Sequence, residues 1–239
     1  MNEIEKLQKI IDESTSIVFF GGAGVSTESG IKDFRSQDGL YNEKYLYPLE
    51  EILSHDFFFS HPKEFYEFYF SKMINENVSP NIAHYKLAEL EKKHKLKAII
   101  TQNIDGLHQK AGSKIVYELH GTVYKNRCCK CHKFYSLDDI LKLKPVPYCS
   151  CGGLIKPEVV LYQEPLDQNT LIKAIEAIEN CSTLIIAGTS LSVYPAASLI
   201  DFFKGKNLVL INKTSTPKDN IATLVIHQKV GEVLSKINI

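Results

Sequence analysis

Short apolar runs rich in β-branched residues alternate with longer amphipathic stretches along this chain, and this alternation constrains its fold more than any other feature. Five runs have the length and composition of buried parallel strands: residues 16–20, 97–101, 182–188, 207–212 and 223–227. Three stretches keep apolar residues three and four positions apart, as helices packed on a sheet do: residues 81–93, 168–179 and 195–204. The pattern predicts an α/β fold with a doubly wound, Rossmann-like parallel sheet.

Two segments interrupt the alternation and predict a second, smaller lobe. Residues 39–81 are rich in aromatic side chains and form a predicted helical insertion, whereas residues 121–156 contain five of the six cysteines. The remaining parts of the chain, residues 1–38, 82–120 and 157–239, would together form the sheet domain. A chain of 239 residues is long enough for one main core with a small module attached to it.

The charge of the chain is balanced, with 28 basic and 28 acidic residues. A nucleic-acid-binding surface or a polybasic membrane patch needs excess positive charge, so we expect neither partner. The first fourteen residues, MNEIEKLQKIIDES, have helical spacing and do not resemble a signal peptide, and no membrane span is visible in the sequence. Closely spaced cysteines without an export signal indicate a reducing compartment, and we expect the protein in the cytoplasm.

A glycine-rich turn follows the first predicted strand. Gly21, Gly22 and Gly24 would let the backbone approach a pyrophosphate, with N–H groups directed at its charge. The third glycine of G-x-G-x-x-G is absent, so the turn alone fits an ordinary loop equally well. The same loop continues to an acid, an aromatic ring and a guanidinium at residues 33–35, where the sugar and base of a nucleotide would lie.

The cysteines of the second segment have the spacing of metal ligands. Cys128 and Cys131 form a C-x-x-C pair, and Cys149 and Cys151 follow as a C-x-C pair. Four thiolates complete a tetrahedral zinc site without an open coordination position, so the ion would be structural. A disulfide is the alternative, which a reducing compartment disfavours. Cys129 is a reserve ligand if the shortened second pair strains the site.

Several motifs, in order along the chain, resemble those of the sirtuin family. Residues 22–35, GAGVSTESGIKDFR, are similar to GAGxSxxSGIPDFR, with Lys32 at the position of the family's proline. Further matches are TQNIDGLH at residues 101–108, His120 with the glycine after it, residues 188–190 and Asn212. The resemblance extends from about residue 17 to residue 230, and it is closest to the bacterial sirtuins called class U.

This resemblance implies an NAD-dependent protein lysine deacetylase. Such an enzyme cleaves the nicotinamide glycosidic bond of NAD and transfers the acyl group of an acyl-lysine to ADP-ribose. His120 and Asn103 are the implied catalytic residues, with His120 as the base, because an imidazole can accept a ribose hydroxyl proton near neutral pH. Asp105 and the Ile104 backbone would hold the carboxamide, and Phe34 would cover the nicotinamide. The implied partner is an acetylated lysine-containing protein or peptide, and the implied cofactors are NAD and one structural zinc ion.

The NAD-binding residues implied by the resemblance come from all the matching motifs and from the C-terminal part of the chain. They are Gly22, Ala23, Gly24, Thr27, Asp33, Phe34, Arg35, Gln102, Asn103, Ile104, Asp105, His120, Gly188, Thr189, Ser190, Asn212 and Val230. In this assignment Arg35 and Gln102 would order the ribose and phosphates, and Asn212 with Val230 would flank the adenosine.

Two further segments concern the acylated substrate. Residues 156–164, KPEVVLYQE, resemble the family's RPxVVFFGE, whose extended backbone pairs with the substrate peptide as an added strand, and Gln163 stands at its glycine. Sirtuins that prefer succinyl-lysine carry Tyr-x-x-Arg in the helical insertion, where this chain has Tyr66 and Tyr69. A phenol cannot pair with a buried carboxylate as a guanidinium does, so we expect weak desuccinylation. Packing in the core of the small lobe is the alternative role of Tyr69, and it gives the same expectation.

Three other functions use part of the same sequence pattern. A nicotinamide-dependent dehydrogenase would explain the sheet and the glycines, but neither the QNID motif nor His120. A mono-ADP-ribosyltransferase would use the same NAD-binding residues with a different acceptor. A non-catalytic NAD-sensing or zinc-binding scaffold would not need His120, Asn103 and Asp105, which are all present.

Overall fold

The computed structural model describes residues 1–239 and contains nine strands and nine α-helices. The strands are β1 (Ile17–Gly21), β2 (Leu96–Thr101), β3 (Val116–Glu118), β4 (Gly121–Cys128), β5 (Phe134–Ser136), β6 (Ile155–Val159), β7 (Thr183–Ala187), β8 (Asn207–Ile211) and β9 (Leu224–Ile226). The helices are α1 (Glu3–Glu13), α2 (Leu49–Ile52), α3 (His55–Ser60), α4 (Pro62–Phe68), α5 (Ile82–Lys92), α6 (Leu107–Lys110), α7 (Leu137–Leu141), α8 (Gln168–Glu179) and α9 (Val230–Leu234).

A six-stranded sheet in the order β3-β2-β1-β7-β8-β9 forms the centre of the fold, and every neighbouring pair is parallel. The five predicted strands are β1, β2, β7, β8 and β9, and the prediction of a doubly wound α/β sheet is confirmed. The sequence did not predict β3, which has three half-buried residues at the edge of the sheet and is too short to show a period. The strands that follow β1 directly, β2 and β3, lie on one side of it, and β7, β8 and β9 lie on its other side. The direction of winding therefore reverses between β1 and β7. In such sheets the crevice for ligands lies at the carboxyl ends of the strands on either side of this point.

Both faces of the sheet are covered, which explains why its strands are continuously apolar. Ile17 and Phe19 of β1 face a core formed with α1, α5 and α9, whereas Val18 and Phe20 face a second core formed with α8. All five residues of β1 are buried. None of the helices is both long and apolar enough to cross a bilayer, and the longest, α8, has 12 residues.

Two of the three predicted helices are confirmed as α5 and α8. The third, predicted over residues 195–204, is a 3-10 helix over Ala196–Phe202, so the prediction was wrong in helix type. Its apolar spacing was read correctly, because Leu199 and Ile200 are buried under the sheet. The hydroxyl of Ser198 also bonds to the carbonyl of Pro195 at 2.7 Å, three residues earlier, which favours the tighter 3-10 turn.

The small lobe combines helices α2, α3, α4 and α7 with an antiparallel sheet in the order β5-β4-β6. Its core is aromatic, with the rings of Phe58, Phe65 and Tyr66 packed edge to face. Helix α4 continues into a π-helix over Tyr69–Met73, so the predicted helical insertion is present in residues 49–73. The exact residue limits of the lobes stay a prediction.

Two histidines, His84 of α5 and His108 of α6, lie in contact inside the main core with their ring centroids 4.8 Å apart. Both are fully buried. The Nδ1 atom of His84 accepts from the Asn81 amide at 3.2 Å, and its Nε2 atom and both nitrogens of His108 have no partner. Burial lowers the pKa of His84 to about 4, although Asp105 opposes the shift, and burial lowers the pKa of His108 to about 3.

We predict that acid destabilises the fold through these two imidazoles. Below pH about 6.5 the unfolded chain takes up a proton at each histidine and the folded chain does not. Their contribution is therefore fully present above pH 6.5 and is lost as the pH falls toward about 4, at roughly 1.4 kcal/mol per pH unit for each histidine. The free energy of unfolding of His108→Gln, measured with urea between pH about 5 and 6.5, should depend less steeply on pH than that of the wild type. The difference should correspond to about one proton fewer taken up on unfolding.

The matched control is His94→Asn. His94 is exposed and has a φ of 61°, a conformation that asparagine tolerates, so this variant should keep the wild-type slope. An unchanged slope in His108→Gln would contradict the assignment, whatever that variant does to stability at neutral pH.

Candidate active site

The loops that follow β1, β2 and β7 meet at the carboxyl edge of the sheet. The Gly22 amide donates to the carbonyl of Ala187 at 3.2 Å, and the Gly24 amide donates to the carbonyl of Gly188 at 2.8 Å. Gly188 has a φ of 60°, and a Cβ atom there would lie 2.5 Å from the Val25 nitrogen. These glycines are therefore required for close packing between two loops.

The glycine-rich turn after β1 does not lead into an α-helix, unlike the strand-to-helix turn in which glycines usually bind a pyrophosphate. Ala23–Val25 and Thr27–Ser29 are two short 3-10 turns, and the hydroxyl of Thr27 donates to the carbonyl of Gly24 at 3.0 Å. No α-helix N-terminus therefore points from this loop toward a phosphate. The carboxylate of Glu28 instead accepts the Gly231 amide at 2.7 Å, which connects the loop to the start of α9.

A buried serine joins the first two sirtuin-like motifs. The Ser26 hydroxyl, 1% exposed, donates to Oδ2 of Asp105 at 2.7 Å and accepts from the Asn103 side-chain amide at 3.0 Å. Asp105 also accepts the backbone amide of Leu107 at 2.9 Å, and the backbone amide of Asn103 donates to the hydroxyl of Thr101 at 3.0 Å. Asn103 and Asp105 are thus fixed in position by Ser26. Ser26 was not among the predicted site residues, although it is the serine of the GAGxSxxSG match.

His120 lies beside this network, between β3 and β4. Its Nδ1 atom is 3.0 Å from the carbonyl oxygen of Gln102, which can only accept, so Nδ1 carries the proton and Nε2 is free to act as a base. Burial lowers the pKa of His120 below its ordinary value, so the ring is neutral at pH 7. Gly121 follows with a φ of 73°, and a Cβ atom there would collide with the carbonyl of Glu158, so only glycine fits next to the histidine.

Gln102 connects three of the site's elements. Its amide donates to the carbonyl of Gly21 at 2.9 Å, its carbonyl accepts from His120, and its side-chain oxygen is 3.5 Å from the hydroxyl of Thr189. The side-chain Nε2 of Gln102 is buried and has no partner. A polar ligand such as the ribose or phosphate of NAD would satisfy this donor, so the residues present fit the implied nucleotide.

The loop after residue 30 carries Asp33, Phe34 and Arg35. Asp33 accepts the amides of Arg35 at 3.1 Å and Ser36 at 2.8 Å, so its carboxylate holds a turn. Phe34 packs against the core of the small lobe, and the guanidinium of Arg35 lies over the ring of Tyr41 at 5.0 Å. Phe34 and Arg35 are thus placed at the junction of the two lobes.

The remaining predicted NAD residues lie along the same edge of the sheet, farther from the histidine in strand order. The Ser190 hydroxyl is 2.6 Å from that of Ser192, and the Asn212 side chain donates to the carbonyl of Thr214 at 2.9 Å. Val230 begins α9 and is 2% exposed, so its side chain is part of the core.

Four cysteines form a compact cluster in the small lobe. The Sγ atoms of Cys128, Cys131, Cys149 and Cys151 all lie within 4.8 Å of one another. A tetrahedral zinc ion bound to four thiolates at roughly 2.3 Å separates the sulfur atoms by about 3.8 Å, so the cluster fits this ion. Cys129 is exposed and lies outside the cluster, so the reserve ligand is not needed.

The shortened C-x-C pair is accommodated by the two glycines that follow it. Gly152 has a φ of 79° and its amide donates to the carbonyl of Cys149 at 2.8 Å, while the Cys149 amide donates to the carbonyl of Gly153 at 2.8 Å. The amide of Cys151 is the main cause that lowers the pKa of Cys149 to about 6, which favours a thiolate. Strand β4 runs from Gly121 to Cys128, about 23 Å at the usual strand rise, so the cluster is distant from His120.

The segment predicted to bind peptide is largely occupied by the protein's own contacts. In its second half, residues 160–164, four of the five backbone amides have internal acceptors: Val160 donates to His120, Leu161 to the carboxylate of Glu164, Tyr162 to Leu53 and Glu164 to Leu161. Among these five, only the amide of Gln163 is free. Gln163 has a φ of 76°, so it adopts the conformation of the family's glycine, and its side chain is held by Asp56 at 3.0 and 3.1 Å.

The two tyrosines of the helical insertion belong to the core. Tyr66 is fully buried and its hydroxyl donates to the carbonyl of Ile155. Tyr69 is 1% exposed and stacks on Phe65 with centroids 5.6 Å apart. The packing role considered for Tyr69 therefore accounts for both rings.

The comparison with known proteins agrees with this arrangement. The sequence pattern of the Sir2 family matches residues 22–195. An NAD-dependent protein deacetylase of Clostridium perfringens is 59% identical over 240 residues, covering 99% of this chain and 98% of that protein. One from Staphylococcus aureus strain N315 is 46% identical over 239 residues, with the same coverage.

Solved structures give the same result. A structure described as Sir2 with a p53 peptide and NAD+ has a TM-score of 0.88 at 43% identity, covering 99% of this chain and 97% of that one. A structure described as Sir2 bound to acetylated peptide has a TM-score of 0.87 at 41% identity, with coverage of 99% and 97%. With its fold, its site motifs and its full length matched in this way, the chain belongs to the Sir2 family.

Proposed function

We propose that this chain is an NAD-dependent protein lysine deacetylase that transfers the acyl group of acyl-lysine to ADP-ribose and releases nicotinamide. The observation that carries the proposal is the fixed tautomer of His120, whose Nδ1 bonds to the carbonyl of Gln102, the residue before Asn103 in the network of Ser26, Asn103 and Asp105. Relatives named NAD-dependent protein deacetylases and Sir2 structures with acetylated peptides support it.

The catalytic role assigned to His120 follows from its environment. Its Nε2 takes the proton of a ribose hydroxyl, and the Gln102 carbonyl stabilises the imidazolium that results by accepting the Nδ1 hydrogen bond. NAD, when bound, supplies the nicotinamide glycosidic bond whose cleavage leaves positive charge on the ribose. Because burial keeps the pKa of His120 below its usual range, the base is in its active neutral form at pH 7.

Nicotinamide binding is assigned to Ile104, Asp105 and Phe34. The Ile104 carbonyl accepts the Val123 amide at 3.2 Å, whereas the Ile104 amide donates to no group of the protein and is available to the carboxamide. Asp105 is held in place by the Ser26 hydroxyl and can accept a further hydrogen bond from the carboxamide. Phe34 would exclude water from the reacting carbon, and Gln102 would donate to the ribose or phosphates through its free Nε2.

The peptide, the zinc ion and the cellular location complete the proposal. An acylated peptide would bind at the free Gln163 amide, in the cleft between the two lobes. The larger lobe is a sheet domain of residues 1–38, 82–120 and 157–239, and the remaining residues form the small lobe. The zinc ion would hold the small lobe together. Thiols that bind zinc must stay reduced, which supports a location in the cytoplasm.

We predict that His120→Ala abolishes most of the deacetylation and leaves the fold intact. Loss of a general base lowers turnover by about two or more orders of magnitude. Mass spectrometry of an acetylated peptide with NAD measures this loss, and calorimetry should show NAD binding unchanged within a few fold. His94→Asn serves as the control and should retain wild-type turnover, since His94 is exposed in the turn before β2.

The same assay, run with and without peptide, tests the proposed reaction. Nicotinamide release that requires acetylated peptide and yields acylated ADP-ribose supports deacetylation. Release without peptide, with ADP-ribose attached to protein, would indicate mono-ADP-ribosyl transfer instead.

We predict one zinc ion per chain, bound by Cys128, Cys131, Cys149 and Cys151. Because metal binding contributes to folding, Cys128→Ser should lose zinc by elemental analysis and lower the melting temperature by several degrees. Cys129→Ser is the matched control, because Cys129 is one residue away and outside the cluster. This variant should keep the zinc content and the melting temperature of the wild type. Folded, active wild-type protein without zinc would contradict this assignment.

We predict that acetyl-lysine peptide is turned over with a kcat/KM about two or more decades above that of the succinyl version of the same peptide. Burying a carboxylate without a cation costs at least a few kcal/mol. Tyr66 and Tyr69 supply no positive charge, and the ammonium of Lys72 is paired with Glu43 at 2.5 Å. Equal turnover of the two peptides would show that another cation lines the acyl site.

A further inference from the structure

Two tyrosine hydroxyls connect the loop that carries Phe34 to the segment assigned to the peptide. The hydroxyl of Tyr41 is 2.9 Å from that of Tyr162, although the residues are 121 positions apart. Burial, together with hydrogen bonds to Tyr162 and Glu50, raises the pKa of Tyr41, so its hydroxyl remains protonated. Nothing in the reaction described above uses either hydroxyl.

Tyr41 is tied to the cofactor side of this contact. Its amide donates to the carbonyl of Phe34 at 2.9 Å, and the Leu40 amide before it donates to the carbonyl of Asp33 at 2.9 Å. The Arg35 guanidinium also lies over its ring, 5.0 Å from the centroid. A displacement of Tyr41 therefore moves Phe34 and Arg35 with it.

Tyr162 is tied to the small lobe and to the peptide segment. Its amide donates to the carbonyl of Leu53 at 2.9 Å, and its carbonyl accepts the His55 amide at 3.0 Å. The next residue, Gln163, carries the only free amide of residues 160–164. The family motif RPxVVFFGE has phenylalanine, which lacks a hydroxyl, at the position of Tyr162.

We infer that the Tyr41–Tyr162 hydrogen bond, called here the tyrosine clasp, couples NAD binding to peptide binding by holding the Phe34 loop against the peptide segment. This inference rests on the proposed function. A peptide that orders residues 162 and 163 fixes one hydroxyl of the clasp. The Phe34 loop, which must close over NAD, then loses less freedom when NAD binds. By thermodynamic linkage, each ligand should raise the affinity for the other by the same factor.

The test measures binding of ADP-ribose by calorimetry, with and without an acetylated peptide. Peptide should raise the affinity of the wild type for ADP-ribose by about fivefold or more. In Tyr162→Phe this factor should fall by about threefold or more, toward no coupling, as expected for the loss of one hydrogen bond. Tyr41→Phe should reduce the factor by as much. The double variant should reduce it no more than either single variant, because both substitutions remove the same bond.

Tyr148→Phe is the matched control, since Tyr148 is 52% exposed in the small lobe and its substitution should leave the factor unchanged. An unchanged factor in Tyr162→Phe, or additive losses in the double variant, would overturn the clasp.

A second measurement does not depend on ligand binding. Trypsin should cut after the exposed Arg35 about threefold or more faster in Tyr162→Phe than in the wild type or in Tyr148→Phe, without any ligand. Equal cleavage rates would also overturn the clasp. Failure of the proposed function has a different signature, in which the wild type neither binds ADP-ribose nor deacetylates the peptide while these cleavage rates still differ.

Discussion

The site depends on a direct contact between two stretches of backbone, at Gly24 after β1 and Gly188 after β7. The two strands are in register to their ends, with Gly21 opposite Ala187, so the chain leaves both at the same level. A Cβ atom on Gly24 would lie 2.7 Å from the Cα of Gly188, so no side chain fits between the loops. This contact fixes the path of residues 22–26 and thereby brings Ser26 to Asn103 and Asp105. Glycines that suggest a nucleotide-binding turn are thus needed first for the packing of the loops on each other.

The polar groups around the histidine satisfy one another almost completely. A serine hydroxyl can donate and accept at once, and Ser26 does both, between the carboxylate of Asp105 and the amide of Asn103. Buried polar groups without partners are costly, so this arrangement stays rigid before any ligand arrives. The free Nε2 of Gln102 is an exception, and a donor left unpaired at the point where three loops meet is a feature expected of a binding site.

Local patterns made much of the fold and the metal site predictable, whereas contacts between distant residues did not show in the sequence. Five strands were predicted because burial on both faces leaves a continuous apolar run, but β3 is too short for that pattern to be visible. The cluster of four cysteines that fits a zinc ion was predictable from residue type and spacing alone. The role of Ser26 was not, because a serine in a loop is common and its partner Asn103 is 77 positions away. The clasp between Tyr41 and Tyr162 is hidden for the same reason.

Two departures from the family's motifs are each accompanied by a contact that the sequence alone does not reveal. Gln163 takes the left-handed conformation of a glycine, and its side chain bonds to Asp56 at both ends of the amide group. Lys32 replaces a proline, and its ammonium pairs with Glu43 at 2.7 Å, which also pairs with Lys72 of the π-helix. Proline restricts a loop by limiting the unfolded chain, and salt does not affect that restriction. An ion pair between partly exposed groups contributes little and is screened by salt, so the contact of Lys32 with Glu43 restricts the loop less than a proline at residue 32 would.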